Sequence, residues 1–178
     1  MPDSSQELLE CFDDQGHVIE SQIRSVVHTE PLRHWHGVAN IWIMDSSGNL
    51  LCSQRSSSCR DNPEKWQTYF GGHVKAGHTF EQTALLELQE EIGIETTIDR
   101  LQLVLKSSYH PAMHLFAGYL LVLNEEEKNF SFTDGSVVQI RWLSLENYRK
   151  EQSTTPEQWC NNISAEMETK IKGILRNN

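Results

Sequence analysis

The chain has 178 residues, enough for one domain with a sizeable core. Its 15 basic and 25 acidic side chains leave a formal charge of −10, which argues against a general nucleic-acid or membrane-surface binder, since both need a basic face. A phosphorylated substrate stays open, because a bound metal can supply positive charge locally.

In chain order, the start MPDSSQELLE is polar and acidic and carries no signal-peptide pattern. Glu7 to Ser21 predicts a hairpin turning at Asp13–Gly16, a candidate dimer element. Pro31 leads to a cluster of His34, Trp35 and His36. Val38 to Met44 and Leu50 to Arg55 predict a strand pair, followed by a Ser-rich, charged loop from Ser56 to Lys65. Beyond the central segment, Leu101 to Ser108 and Met113 to Asn124 predict strands joined near His110-Pro111. Glu125 to Gly135 reads as a charged loop, Val137 to Leu143 as a strand and Ser144 to Tyr148 as one helical turn. Glu151 to Thr155 reads as polar linker, and Ile163 to Leu175 carries apolar residues at helical spacing. The longest apolar run, Leu115 to Leu123, is far shorter than the ~20 residues of a membrane helix. Cys11, Cys52, Cys59 and Cys160 show no CxxC or zinc-like spacing, and a reduced, cytoplasmic setting is the default expectation.

The central segment is GGHVKAGHTFEQTALLELQEEIGI, Gly71 to Ile94. Thr79 and Gln82 make a capping-box pattern, Ala84, Leu85, Leu88 and Ile92 an apolar stripe, and Gly93 a left-handed C-cap. Gly71, Gly72 and Gly77 predict a tight, closely approaching loop before the helix. Glu87, Glu90 and Glu91, at i, i+3 and i+4, fall on one helix face. Three carboxylates so placed repel one another unless a cation sits among them, and hard divalent ions take such oxygen ligands. A helix with this spacing alone is usually just a solvated acidic face.

The segment resembles the Nudix box, which runs Gly, five residues, Glu, seven residues, then Arg-Glu-apolar-x-Glu-Glu-x-Gly-apolar. With Gly72 as the first glycine, Glu87, Leu88, Glu90, Glu91, Gly93 and Ile94 fall in register. His78 stands where the family has Glu and Leu86 where it has Arg, two side chains that in the family brace the loop against the helix. The resemblance implies an α/β fold, an α/β/α sandwich with a mixed central sheet and here an N-terminal hairpin. It frames the chain as one Nudix domain over 1–178, with the hairpin extension at 1–35, the core at 36–150, the box at 72–94 and a C-terminal helix within 151–178. The order of hairpin, His-containing segment, strand pair and box looks like the branch related to isopentenyl-diphosphate isomerase. In that isomerase a catalytic cysteine precedes the Gly-His that supplies a metal ligand. Here Phe70-Gly71-Gly72-His73 puts Gly71 at the cysteine position, which favours hydrolase relatives.

The resemblance implies a Mg²⁺ or Mn²⁺ site formed by Glu87, Glu90 and Glu91 with help from the Gly72 carbonyl, and His73 as the best histidine ligand. The same three glutamates are the catalytic candidates, and a small-molecule diphosphate is the expected substrate. Arg55 and Lys75 are candidates to grip it, against the competing reading of plain surface cations. His28, His34 and His36 read individually as capping or hydrogen-bonding residues. Trp35, Trp66 and Trp159 read as core or rim packing, and Glu125, Glu126 and Glu127 as a solvated acidic loop. Two functions remain open from the residues: metal-dependent hydrolysis of a nucleoside diphosphate linked to another moiety, and a Nudix fold that binds such a compound without turnover. Isomerase-like chemistry is the least favoured reading.

Overall fold

The computed structural model describes residues 4–160 and 163–176. A short 3-10 turn precedes β1 (Leu8–Phe12), which pairs with β2 (Val18–Ile23) in the expected hairpin, and α1 (Arg24–Val27) follows. Next come β3 (Trp35–Asp45), β4 (Asn49–Arg55), β5 (Trp66–Gln67) and β6 (Phe70–His73). After α2 (Phe80–Ile92) lie β7 (Gln102–Tyr109), β8 (His114–Leu123) and β9 (Val137–Ser144), then α3 (Leu145–Thr154) and α4 (Ala165–Arg176).

Everything is hung on β3. Along one edge it runs parallel to β8, from His36 opposite His114 to Asp45 opposite Leu123. Along the other edge it takes β1, β6 and β4 in turn, all antiparallel. Strand β7 extends the sheet beyond β8, while β9 and β5 extend it from β4. The sheet is therefore mixed, and its central strand is covered on both faces, which is why β3 reads as an almost unbroken apolar run.

Period-two alternation divides β3 between two cores. Ala39, Ile41 and Ile43 join Phe70, Ala117 and Leu121 under Ala84, Leu88 and Ile92 of α2. Trp42 and Met44 join Leu50, Cys52 and Leu120 under Tyr148 of α3, Trp159 and Ile171 of α4. Helix α2 thus lies on one face and α3 with α4 on the other, the α/β/α sandwich expected. A 13-residue helix is marginal alone. Burying each of its large apolar side chains contributes about 1.5–3 kcal/mol, so docking holds α2 in place.

Two local expectations are corrected. Gly71 and Gly72 lie in a strand, not a loop: β6 pairs Gly72 with Ala39 and His73 with Val38. The Ser144–Tyr148 turn and Glu151–Thr155 linker are instead one helix to Thr154, capped by the Ser144 hydroxyl accepting from Asn147 N–H. Among the described residues no helix is long and apolar enough to cross a membrane.

Candidate active site

Helix α2 presents the carboxylates because both of its ends are specified. The Thr79 hydroxyl accepts from Gln82 N–H at 3.2 Å, and Gln82 Oε1 accepts from Thr79 N–H at 2.9 Å. At the other end Gly93 adopts φ 72° and its N–H reaches Gln89 O at 3.1 Å, with Ile94 N–H reaching Leu88 O at 3.1 Å. Between these fixed ends, Glu87 and Glu91 sit one turn apart on the side facing β6.

The acidic face is not separate from the apolar stripe. Glu91 is 8% exposed and is buried with Leu88 and Ile92. Glu90, by contrast, keeps a side chain that is 51% exposed. Gly72 and Glu87 are fitted to one another: a Cβ at Gly72 would lie 2.2 Å from Glu87 Oε1 and 2.6 Å from its Cδ. Gly71 N–H donates to the Glu91 carboxylate, while Glu91 Oε2 is buried with no hydrogen-bond partner.

Burial chiefly, then the neighbouring Glu90 charge, lifts the Glu87 carboxyl to about 7. Burial followed by Glu87 and Asp134 drives Glu91 well above the usual carboxylate range. These carboxylates crowd each other in a dry place, the situation that a divalent cation relieves. The orphaned Glu91 oxygen, the oxygen-only donor set and the close glycine backbone all fit a hard ion such as Mg²⁺ or Mn²⁺.

Both cationic candidates border this site. Lys75 Nζ is 3.5 Å from Glu90 Oε2 and 3.5 Å from Glu7 Oε1. Desolvation of Lys75 is outweighed by Glu90, Glu7 and Glu87, so its pKa is raised and it stays charged. Arg55 is held by Asp61 O at 2.9 Å and Gln67 Oε1 at 3.0 Å, and its charge favours ionised Glu91. Asp134, from the loop between β8 and β9, adds a fourth carboxylate whose charge is felt by Glu87 and Glu91. From sequence, the acidic run Glu125–Glu127 is the more conspicuous part of that loop. Those three form a capped 3-10 turn, with Glu127 paired to Arg100 at 2.8 Å and Glu125 to Lys128 at 2.6 Å.

His73 is placed elsewhere. Since Gly72 faces α2, the next residue of the strand points to the opposite face of the sheet. There His73 meets His28, His36 and His114, with ring centroids 5.0, 5.2 and 5.8 Å from its own. The expectation of His73 beside the glutamates is corrected on this alternation. His28, the C-cap of α1, and His36 keep the hydrogen-bonding role expected of them, with Nδ1 3.0 Å from Arg24 O and 3.2 Å from His34 O, while their rings also meet His73. His114 was not singled out at all. His34 does keep a local role, 3.3 Å from Glu20.

The departures from the box also have locations. His78 Nδ1 is buried without a partner, and Leu86 is half-buried. Gly71 has φ 151°, and a Cβ there would lie 2.1 Å from Ala39 O; a cysteine side chain has no room. Cys52 is buried in the α3–α4 core and Cys59 lies 3.5 Å from Ser136 O. Trp66 and Trp159 stack beside the Arg141 guanidinium, 3.9 and 5.5 Å from their centroids, confirming the packing reading for both.

A fold of this kind, with a glycine strand and an acidic helix meeting at the Glu87 and Glu91 carboxylates, defines a Nudix architecture. The NUDIX domain family model matches residues 34–160, and the chain belongs to that family. It is 31% identical over 98 residues to an uncharacterised Nudix hydrolase of Nostoc, covering 55% of this chain and 57% of that one. A Streptomyces coelicolor relative, also an uncharacterised Nudix hydrolase, is matched over 49% of its length, so the chain spans about half of each of these two. Similarity to an isopentenyl-diphosphate Delta-isomerase of Serratia proteamaculans is 29% over 160 residues, 84% of this chain and 86% of that protein. A Deinococcus radiodurans crystal structure superposes with a TM-score of 0.68 at 21% identity, over 94% of this chain and 98% of the other, and shares the fold.

Proposed function

We propose that this chain is a divalent-metal-dependent pyrophosphohydrolase that cleaves a diphosphate linkage in a nucleoside diphosphate joined to another moiety. The observation that carries this reading is the pair of Glu87, half-buried, and Glu91, buried, packed on the glycine strand with Glu91 Oε2 unpartnered. Glu87, Glu90 and Glu91 would hold the ion, with the Gly72 backbone alongside. A divalent ion bound there supplies charge neutralisation to the diphosphate and acidifies water at neutral pH.

The chain's own groups do the rest. A box carboxylate within hydrogen-bond reach takes the proton of the attacking water. Oxygen from that water forms the new P–O bond, the bridging P–O bond breaks, and the second phosphoryl group leaves with the bridging oxygen. Lys75 and Arg55 border the carboxylates and balance charge that builds on the phosphate oxygens. Gly71 leaves no space for a thiol, which speaks against isomerase-like proton shuttling.

The test is a screen of nucleoside diphosphate sugars, dinucleotides, nucleoside triphosphates and prenyl diphosphates with Mg²⁺ or Mn²⁺, scored for products and for binding. Metal-dependent cleavage of any diphosphate-linked member supports the reading. Saturable binding without cleavage across the panel would overturn it in favour of a binding module.

A further inference from the structure

The box loop reaches α2 without the pair that braces it elsewhere in the family. His78 Nδ1 is buried without a partner, and Leu86 has no charge to offer it. Yet residues 74–79 join β6 to α2, so their path sets where Glu87 and Glu91 meet the glycine strand.

The N-terminal hairpin grips this loop from the other side. Glu10 N–H donates to Val74 O at 2.9 Å and Ala76 N–H to Leu8 O at 2.9 Å, with Leu9 opposite Lys75 in an antiparallel bridge. The Glu10 side chain then crosses to the turn. Its residue is 6% exposed, and its Oε2 accepts from Gly77 N–H at 2.5 Å. Gly77 holds φ 78° there, and His78 N–H closes the turn on Lys75 O at 3.0 Å. On β2, Ser21 Oγ donates to Glu10 Oε1 at 3.1 Å and fixes the carboxyl group's orientation. A polar group taken out of water needs partners, and Glu10 finds one of them on the loop. Two further contacts run alongside: Glu7 Oε1 is 3.5 Å from Lys75 Nζ, and the Phe12 and Phe80 ring centroids are 5.7 Å apart. The hairpin thus touches the loop at its start, at its turn and at the first residue of α2.

We infer that the hairpin replaces the missing box pair, with Glu10 as the positioning residue that holds the loop, and through it Glu87 and Glu91, in working register. This deepens the pyrophosphohydrolase reading and rests on it. The family's pair braces the loop from the helix; Glu10 braces it from β1, at the amide next to position 78. The two departures from the box and the acidic residue of the hairpin are then one compensated change. A misplacement of about 1 Å can cost about a hundredfold in rate, and the fit of Gly72 to Glu87 leaves little slack for one. A turn released at Gly77 therefore reaches the chemistry although Glu10 touches no substrate. Accepting from an N–H needs an oxygen, so glutamine serves at position 10 and alanine does not.

The test compares the full-length parent, Glu10→Ala, Glu10→Gln, and His78→Glu/Leu86→Arg added to the Glu10→Ala background. Amide exchange of Gly77 is followed by NMR in the metal-free chain, and kcat and KM are measured for a cleaved nucleoside diphosphate derivative at saturating Mg²⁺. In Glu10→Ala, Gly77 exchange should rise and kcat fall, each by about tenfold or more, with KM within about threefold. Glu10→Gln should keep exchange and kcat within about threefold of the parent. The added box pair should restore most of the kcat lost in Glu10→Ala, a coupling that general destabilisation does not produce. If Glu10→Ala does not melt cooperatively, Glu10→Asp, one methylene too short to reach Gly77, takes its place with the same expectations. Parental Gly77 exchange, parental kcat, or a loss left unrepaired by the box pair would overturn the proposal, and so would a Glu10→Gln chain as impaired as Glu10→Ala. A parent that cleaves nothing fails the hydrolase reading instead; Gly77 exchange, with Mn²⁺ affinity in place of kcat, then decides the brace.

Discussion

Gly72→Ala should uncouple activity from stability. The glycine has no positive φ, so alanine is allowed by the backbone. Its Cβ, however, would meet Glu87 Oε1 at 2.2 Å, Cδ at 2.6 Å and Oε2 at 3.0 Å. Those atoms end a flexible side chain, so the carboxylate retreats instead of the strand. Restoring an ordinary contact takes a retreat of about 1 Å, and a misplacement of that size can cost about a hundredfold in rate, or ~2.7 kcal/mol of barrier. The fold loses little: overpacking of a flexible end is offset by the ~0.4–1 kcal/mol that a compatible Gly→Ala change contributes through the unfolded chain. The assay is kcat/KM for a cleaved diphosphate with saturating Mg²⁺, beside a thermal melt. Activity down about a hundredfold with Tm within ~4 °C of the parent is expected, since 1 kcal/mol moves Tm by about 2–4 °C at this size. Parental activity would refute the fit of Gly72 to Glu87 as a catalytic constraint; a collapse of Tm matching the activity loss would refute the uncoupling.

Restoring the box pair as His78→Glu with Leu86→Arg should hydrolyse substrate faster than either single variant, measured as steady-state phosphate release; Leu86→Arg alone leaves a cation one turn from Glu90 without its partner. In chelated protein, Glu87 has a folded-state pKa of about 7 against an ordinary 4.5, because burial first and Glu90 second oppose its ionisation. A raised carboxyl pKa gives a contribution fully present below 4.5 and lost as pH rises through 7, so Tm of the metal-free chain should fall between pH 5 and 8, and excess Mg²⁺ should flatten that slope. Gly71→Cys should cost several kcal/mol, from a contact of 2.1 Å with Ala39 O at φ 151°, and should yield no prenyl-diphosphate isomerisation; a stable, isomerising variant would reopen that chemistry.

Local signals were legible where the chain specifies itself. The Thr79–Gln82 capping box, the Gly93 terminus and the apolar strand at 38–44 each depend on residues a few positions apart, and all appear in the structure. Glycine misled at Gly71–Gly72, because freedom of φ also serves a strand that must let Glu87 and Ala39 approach closely. The low apolar content of LENYRKEQST hid α3, whose one buried anchor is Tyr148. Sites assembled across strands were the least legible. His28, His36, His73 and His114 are brought together only by the pairing of β3 with β6 and β8, and no spacing along the chain encodes that. Asp134 was hidden likewise, reaching Glu87 and Glu91 through the path of a loop.

Glu91→Gln is the sharpest probe of a catalytic divalent ion held by the glutamates of α2. Turnover of a cleaved nucleoside diphosphate derivative should be measured across a Mg²⁺ titration for parent and variant, with a melt of each metal-free protein. The account predicts a loss of at least about a hundredfold, of the order seen when one charge-stabilising group is removed, that added Mg²⁺ does not restore. It also predicts a metal-free Tm equal to or above the parent's, because a buried carboxylate crowded by Glu87 and Asp134 has been neutralised. Parental turnover in Glu91→Gln at ordinary Mg²⁺ would contradict it.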